Sequence, residues 1–229
     1  MRWQRRRENP LLDFFEAGDG RLVWKWMHYF DIYDRHFSPW RGRPVKILEA
    51  GVYQGGSLQM WRHYFGRRAI VVGIDIEPQC KQFEEPGVEI FIGDQADREF
   101  LRRIRAEAGP FDIVIDDGGH TMEQQIATFE ELFPALNSPG VYLVEDLHTS
   151  YWDEYGGGYK RPGTFIEYAK DLVDQLHAWH SRDPAQHPVT DVTRQVRGMH
   201  VYDSVIVLDK ADVAEPVVRK SGHPVIPDF

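Results

Sequence analysis

Carboxylates stand at the ends of two apolar runs of the sequence, and they are the side chains best suited to chemistry. Asp117 follows one run, and Glu145 and Asp146 follow another. If the runs are neighbouring strands, about 4.8 Å apart, the carboxylates converge at one rim of a sheet. Several carboxylates cannot share a site in ionised form without a compensating cation. Because hard cations take oxygen ligands, the pattern predicts a site for Mg²⁺ or Ca²⁺, with Mn²⁺ as an option.

Two histidines lie close behind these carboxylates. His120 comes three residues after Asp117, and His148 comes three residues after Glu145. The sequence Thr121–Gln124 is typical of a helix-capping box, which places His120 at the rim of the site. An imidazole with a pKa of about 6.5 suits a general base. We therefore expect His120 to be the catalytic base and His148 to be its rival.

A glycine-rich turn follows the first apolar run, Val45–Ala50. It runs Glu49-Ala-Gly-Val-Tyr-Gln-Gly-Gly-Ser57, a spacing unlike the GxGxxG of nicotinamide enzymes. In open α/β sheets, ligands bind beyond the carboxyl ends of the strands, and glycine allows them close to the backbone. Glu49 would repel a pyrophosphate and suits a cationic group, such as the ammonium of an amino acid.

Acidic residues after the next two runs extend this pocket. Asp75 lies 24 residues after Gly51, near the offset at which an acid accepts hydrogen bonds from ribose hydroxyls. Asp94 follows the third run beside the same crevice. A pocket for a nucleoside and an amino acid, without a phosphate cradle, fits S-adenosylmethionine. For Asp116 a purely structural role is equally open. The residues expected to hold this cofactor are Glu49, Gly51, Tyr53, Gln54, Gly55, Ser57, Asp75, Asp94, Gln95 and Asp116.

Short apolar runs alternate with helical patterns from Val45 onward, which predicts an α/β fold. Strands that are apolar throughout and separated by helices form a parallel sheet covered on both faces. Two strands with a short connection near the C-terminus predict an antiparallel hairpin. We therefore expect a Rossmann-like sheet, mostly parallel, with a C-terminal antiparallel hairpin and helices on both faces. The predicted strands are Val45–Ala50, Ala69–Ile76, Val88–Ile92, Phe111–Asp116, Gly140–Glu145, Gln195–Val201 and Ser204–Leu208, and the predicted helices are Ser57–Phe65, Gln95–Glu107, Met122–Leu136 and Thr164–Trp179.

The chain divides by pattern into three segments. Residues 1–42 are rich in aromatic side chains. In that segment, spacings of three and four across Leu22–Phe30 and on to Phe37 predict a half-buried helix that packs on the core. Residues 43–210 hold the predicted sheet, and residues 211–229 form a tail.

Composition excludes several classes of protein. The 229 residues carry a formal net charge of −9, which argues against non-specific binding of nucleic acid. The single cysteine excludes an intramolecular disulfide and a cysteine-based zinc site. No apolar run is long enough for a bilayer, and Met1–Arg7 is not followed by the apolar stretch of a secretory signal. We expect a cytoplasmic protein that binds neither membrane nor nucleic acid and forms a homo-oligomer, a dimer.

Five segments carry a resemblance to a known family. The chain resembles, over about residues 24–210, the class I methyltransferases that methylate sugar hydroxyls with the help of a metal ion. Macrolide-sugar and rhamnosyl O-methyltransferases belong to that group, and we expect the mycobacterial 1-O-methyltransferase of methylmannose polysaccharide synthesis there too. The paired DDGGH and EDLH blocks are the most specific part. The segments are LEAGVYQGGSLQMW, VGIDIEPQC, FIGDQAD, IDDGGHTMEQQI and YLVEDLHTSYW.

The resemblance implies an O-methyltransferase that uses S-adenosylmethionine and Mg²⁺. Its acceptor would be a hydroxyl of a small saccharide or glycoside, with a methylmannoside and a role in polysaccharide synthesis among the options. The implied metal ligands are Asp117, Glu145 and Asp146, and His120 would be the base. Macrolide-sugar members carry an additional N-terminal domain that this sequence does not show. We therefore expect a local acceptor pocket at the aromatic, glycine-rich stretch Tyr151–Tyr159, which would otherwise form an oligomer contact.

Three other functions are compatible with parts of this pattern. A catechol-type O-methyltransferase would use the same metal logic on a phenolic diol. Proteins described as cephalosporin hydroxylases resemble the same motifs and would imply an iron oxygenase, with His120 and His148 recruited to the metal. A non-catalytic sugar-binding or partner-binding module would leave the acidic rim without a chemical role.

Overall fold

The computed structural model describes residues 9–223 and 225–226. The remaining positions belong to the start of the N-terminal segment, including Met1–Arg7, and to the end of the tail, and they lie outside the described residues. Within the described part, seven strands form one sheet. The strands are β1 (Lys46–Ala50), β2 (Ile70–Asp75), β3 (Val88–Ile92), β4 (Phe111–Asp116), β5 (Leu136–Val144), β6 (Val196–Tyr202) and β7 (Val205–Lys210).

The sheet has the order β3-β2-β1-β4-β5-β7-β6. Strands β1 to β5 pair in parallel, whereas β7 is antiparallel to both β5 and β6. These pairings confirm the predicted mostly parallel sheet and its C-terminal hairpin. The helices are α1 (Pro10–Ala17), α2 (Tyr29–Phe37), α3 (Gly56–Phe65), α4 (Arg98–Ala108), α5 (Met122–Leu132), α6 (Phe165–Leu176) and α7 (Asp191–Gln195).

Helices cover both faces of the sheet, and two apolar cores result. Successive side chains of a strand point to opposite faces, so Ile47 and Leu48 of β1 lie in different cores. The core around Ile47 includes buried residues of α1, α2 and α3. The core around Leu48 includes buried residues of α4, α5 and α6. Central strands that are buried on both faces must be apolar throughout, which is why the sequence identified them.

The N-terminal segment differs from its predicted form. The prediction of one helix through Leu22–Phe30 is wrong: residues 18–28, here called the strap, have no regular secondary structure except a turn at their end. Gly18 ends α1 in the left-handed conformation, with φ of 68°. Exposure then alternates residue by residue from Arg21 to Trp26, which is the period of an extended chain and not of a helix.

The other predicted elements are present with small shifts at their ends. The predicted helix Met122–Leu136 ends at Leu132, and a short 3₁₀ helix, Phe133–Ala135, leads directly into β5. Thr121 and Gln124 form the predicted capping box at the start of α5. None of the helices in the described part of the chain combines the length and the apolar character that a membrane crossing requires. The division at residues 42 and 210 stays a prediction.

Gly51 is the point at which β1 leaves the sheet beside the end of β4. Its φ is +94°, and a Cβ there would lie 2.0 Å from the carbonyl oxygen of Asp117. The amide of Asp117 donates to the carbonyl of Ala50 at 3.0 Å. The segments that follow β1 and β4 therefore cross in direct backbone contact. A glycine is therefore required for Asp117 to reach its place.

We expect Gly51→Ala to destabilise the fold strongly and Gly18→Ala to do so weakly. Both positions have positive φ, which costs a residue with a Cβ about 1–2 kcal/mol, but a Cβ at Gly18 meets nothing within 4 Å. The collision at Gly51 adds about 1–3 kcal/mol of overpacking. Urea unfolding of both variants measures the difference. Equal losses of unfolding free energy would contradict the close crossing.

Candidate active site

A cavity of about 910 Å³ opens at the carboxyl ends of the parallel strands, where α/β sheets bind their ligands. Its walls combine the glycine-rich turn, the acidic residues after β4 and β5, and aromatic side chains from the strap. The residues that line it include Trp24, Lys25, Trp26, Tyr29, Gly51, Tyr53, Gln54, Asp75, Phe83, Gln95, Asp117, Gly118, Gly119, His120, Glu145, Asp146, His148, Trp152 and Tyr155.

Asp75 organises the glycine-rich turn. Its Oδ2 accepts hydrogen bonds from the amides of Val52 at 2.8 Å and Tyr53 at 3.0 Å, and its Oδ1 accepts from the amide of Glu77 at 2.9 Å. Partial burial acts to raise its pKa, but the backbone donors outweigh burial and hold the pKa below its usual range. Asp75 is therefore an ionised acceptor at the cavity wall, as a ribose-binding acid must be.

Five of the ten residues predicted to hold the cofactor line the cavity, and five do not. Gly51, Tyr53, Gln54, Asp75 and Gln95 face the cavity. The residues that do not line it are Glu49, Gly55, Ser57, Asp94 and Asp116.

Glu49 is fully buried and joins β1 to α3. Its carboxylate accepts from the hydroxyl of Ser57 at 2.7 Å and from the indole of Trp61 at 2.9 Å. Burial raises the pKa of Glu49 to about 7, although Lys25 and the two hydrogen bonds act in the other direction. Glu49 and Ser57 therefore fix the glycine-rich turn to α3.

Asp116 acts on the cavity through Gln95. The Nε2 of Gln95 donates to Asp116 at 2.5 Å, and its Oε1 accepts from the amide of Gly119 at 3.1 Å. Burial raises the pKa of Asp116 to about 8. The result is a fixed orientation for Gln95 at the cavity wall. Asp94 is exposed and accepts from the amide of Ala96 at 2.8 Å, which makes it part of a turn.

Asp117, His120 and Asp146 form the acidic part of the site. One ligand atom from each lies within 4.8 Å of the other two, a spacing that could hold a metal ion. The Nε2 of His120 is 3.4 Å from Oδ2 of Asp146. The Nδ1 of His120 is buried and has no hydrogen-bond partner among the described residues. Sequence reasoning thus placed these three side chains together correctly.

Helix α2 holds the two acids that follow β5. The hydroxyl of Tyr33 donates to Oε1 of Glu145 at 2.7 Å, and the hydroxyl of Tyr29 donates to Oδ1 of Asp146 at 2.6 Å. The two tyrosines are four residues apart, so they lie on one face of the helix. The predicted metal ligand Glu145 is fully buried, unlike Asp117 and Asp146.

Lys25 of the strap is a functional residue that sequence reasoning missed. Its ammonium contacts Oδ2 of Asp117 and lies 2.8 Å from Oε2 of Glu145, while only 4% of its side chain is exposed. Burial alone would lower the pKa of Lys25, but the charges of Asp117 and Glu145 outweigh burial and raise it above its usual range. A lysine between two tryptophans, Trp24 and Trp26, was the available signal. Side chains alternate in direction along an extended segment, so Lys25 would lie on the side opposite Trp24 and Trp26.

The strap that delivers Lys25 is held on α3 at Arg21 and Leu22. The amide of Arg21 donates to Oε1 of Gln59 on α3 at 2.8 Å. A Cβ on Gly56 would lie 2.2 Å from the carbonyl oxygen of Leu22, so the strap backbone rests directly on the start of α3. The position of Lys25 is therefore built into the fold.

His148 does not join the acidic group. Its Nδ1 contacts the hydroxyl of Ser204, and its ring packs against Trp152 with 4.7 Å between ring centroids. Only one histidine, His120, belongs to the metal-binding group at this site among the described residues. The two-histidine iron site that an oxygenase requires is not assembled here.

The stretch Tyr151–Tyr159 is folded against the site. Trp152 and Tyr155 line the cavity, and the amide of Gly157 donates back to the carbonyl of Trp152 at 2.9 Å. Tyr159 is 79% exposed. The first part of the stretch therefore forms an aromatic wall of the cavity, whereas Tyr159 at its end faces solvent.

Lys25→Met is expected to lower the free energy of unfolding by about 3–5 kcal/mol in buffer with EDTA. The substitution leaves the buried Glu145 and the partly buried Asp117 close together without a counter-charge. Lys170→Met is the matched control, because the Lys170 side chain is 57% exposed and its ion pair with Glu167 contributes less than about 1 kcal/mol. Urea unfolding measures both. A Lys25→Met variant as stable as the control would show that the cluster needs no internal cation.

Comparisons with known proteins identify relatives of this chain, although no protein-family model matches it. The 8-demethyl-8-alpha-L-rhamnosyl tetracenomycin-C 2'-O-methyltransferase of Streptomyces olivaceus is 39% identical over 225 residues, which are 95% of this chain and 57% of that protein. Demethylmacrocin O-methyltransferase of Streptomyces fradiae is 39% identical over 212 residues, 86% of this chain and 53% of that protein.

A solved structure gives the same result. The MycE methyltransferase of the mycinamycin biosynthetic pathway, in complex with Mg, SAH and mycinamycin VI, superposes with a TM-score of 0.79 at 34% identity. The match covers 90% of this chain and 54% of that chain. The chain thus spans little more than half the length of these relatives. These matches confirm the predicted resemblance to sugar O-methyltransferases and the class I methyltransferase fold.

Proposed function

We propose that this protein transfers a methyl group from S-adenosylmethionine to a sugar hydroxyl, with Mg²⁺ bound at the acidic rim. The observation that carries the proposal is the group formed by Asp117, His120 and Asp146 beside the glycine-rich turn, in one cavity. The relatives with 38% and 39% identity that are named for methylation of rhamnosyl groups support the same activity.

The cavity wall fits the parts of S-adenosylmethionine. Asp75 would accept from the ribose hydroxyls, and the backbone at Gly51 allows a ligand to approach closely. Gln95, fixed by Asp116, presents a polar group to the same space. Glu49, Gly55 and Ser57 would act indirectly, by fixing the glycine-rich turn.

The acidic rim fits a divalent cation. Asp117 and Asp146 would hold it. The buried Nδ1 of His120 has no hydrogen-bond partner among the described residues, which supports a further polar partner at this place. Glu145 would join as a ligand if Lys25 gave up its place beside that carboxylate. When bound, S-adenosylmethionine supplies an electrophilic methyl group, and the cation lowers the pKa of a hydroxyl that it contacts.

His120 would take the proton of the acceptor hydroxyl. It lines the cavity next to both acids, and Asp146 faces its Nε2, where a carboxylate stabilises the imidazolium that forms. His148 remains the alternative base, because it lines the same cavity. Its contacts with Ser204 and Trp152 favour a role in shaping the acceptor side.

The acceptor that fits best is a small saccharide or glycoside, a methylmannoside among the options. Trp26, Trp152 and Tyr155 give the cavity an aromatic wall suited to the apolar face of a sugar ring or its aglycone. A role in polysaccharide synthesis, a cytoplasmic location and a dimeric assembly are parts of the same proposal. The exposed Trp24 and Tyr159, 84% and 79% accessible, are candidates for the dimer contact.

His120→Ala is expected to lower kcat for methyl transfer to a rhamnoside or mannoside by about 10²–10⁴-fold, because it removes the base. His148→Ala is expected to lower kcat less than about tenfold and to act mainly on the acceptor KM. Methyl transfer in Mg²⁺ measures both, and calorimetry with S-adenosylhomocysteine serves as control, with unchanged affinity in both variants.

The same assay separates the competing functions. Normal turnover in His120→Ala and loss in His148→Ala would make His148 the base. Methyl transfer to catechols but to no glycoside would make the protein a catechol-type enzyme. Absence of S-adenosylhomocysteine binding in the wild-type protein would overturn the methyltransferase proposal itself.

A further inference from the structure

A second group of metal-binding side chains lies outside the catalytic cavity. His36 stands near the end of α2, His200 on β6 and Asp209 on β7. One ligand atom of each lies within 4.8 Å of the other two. The Nε2 of His200 is 3.0 Å from Oδ2 of Asp209, and the Nδ1 of His36 is 3.9 Å from Oδ1 of Asp209. None of the three lines the cavity that holds His120.

His36 is prepared as a metal ligand. Its side chain is only 6% exposed, and its Nε2 lies 2.9 Å from the hydroxyl of Tyr202. A metal-binding histidine uses its other ring nitrogen in such a contact, which fixes the tautomer and the ring orientation.

The other two ligands come from the adjacent antiparallel strands β6 and β7. Asp209 is opposite Gly198 in the β6–β7 register, and His200 is two residues further along β6, on the same face of the sheet. The positive charges nearby are Arg35 and Arg197. Arg197 reaches Oδ2 of Asp209 only at 4.0 Å and is 67% exposed, so it can turn into solvent when a cation binds.

We propose that His36, His200 and Asp209 bind a divalent transition-metal ion, with Zn²⁺ as the best match. Two imidazoles and one carboxylate suit Zn²⁺, which four ligands surround in a tetrahedron, and water would supply the fourth. Mg²⁺ prefers oxygen ligands and is disfavoured at this site. The two metal-binding groups of the protein would thus select different ions.

A metal at this site would clamp helix α2 to the C-terminal hairpin. Tyr29, Tyr33 and His36 are spaced i, i+4 and i+7, so they share one face of α2. Tyr29 holds Asp146 and Tyr33 holds Glu145 of the candidate site. At 1.5 Å per residue, Tyr29 lies about 10 Å and Tyr33 about 4.5 Å from His36 along the helix. The clamp would fix the helix that positions these acids, without taking part in the reaction.

Zn²⁺ titration calorimetry of EDTA-treated protein tests the proposal. We expect His200→Ala, a partly exposed position, to bind one equivalent of Zn²⁺ fewer than the wild-type protein. Tyr202→Phe keeps all three ligands and is expected to weaken that equivalent by about 10–100-fold. His177→Ala is the matched control, because His177 is exposed and outside the group.

Co²⁺ in place of Zn²⁺ gives a second measurement, because its visible absorption reports tetrahedral coordination by imidazole. The band is expected in the wild-type protein and in His177→Ala, and it is expected to be lost in His200→Ala. Equal Zn²⁺ stoichiometry and affinity in the wild-type protein and His200→Ala would overturn the proposal. No step of these measurements requires methyl transfer. The metal-binding result would therefore stand even if the proposed methyltransferase function failed.

Discussion

The contact of the Lys25 ammonium with Asp117 and Glu145 is the interaction on which the rest of the site depends. The sheet places β4 and β5 side by side, so the acids that follow them meet at one edge. Glu145 is fully buried there, and two carboxylates in a poorly solvated place repel each other strongly. The ammonium of Lys25 offsets that repulsion, and the strap carries it to this point.

Support for the site therefore comes from outside the sheet. Residues before β1 supply Lys25, Tyr29 and Tyr33, and these three side chains contact all three predicted metal ligands. Hydrogen bonds from α2 fix the carboxylate orientations, as surrounding groups do for ligands in metal sites. Three side chains of the N-terminal segment, Lys25, Tyr29 and Tyr33, thus belong to the candidate site in structural terms. A change in the position of α2 would directly change the positions of the Glu145 and Asp146 carboxylates.

The elements of the sheet could be predicted because each carries its own local signal. Central strands are apolar on both faces, and the capping box at Thr121 marks the start of α5. The acidic group could be predicted because strand ends meet at one edge. The strap could not, because its conformation depends on a contact between residues 92 apart in sequence, Lys25 and Asp117. Aromatic spacing in Leu22–Phe30 imitated a helix, while burial follows the alternation of an extended chain.

The different positions of the residues predicted to hold the cofactor could not be read from the sequence either. Glu49 and Ser57 belong to the glycine-rich turn by motif, but their side chains point to each other and to Trp61. Asp116 likewise acts by holding Gln95. A motif identifies the residues that a site requires, whereas only packing shows which of them face the ligand.

The central claim is that the acids after β4 and β5 hold a divalent cation beside the cofactor. Crystals grown with Mn²⁺ and S-adenosylhomocysteine would test it, because Mn²⁺ is located directly by its anomalous scattering. The account predicts an anomalous peak bounded by Asp117 and Asp146, next to His120, with the cofactor product against Asp75. A map with S-adenosylhomocysteine bound, Lys25 still between Asp117 and Glu145 and no peak at the acids would contradict it.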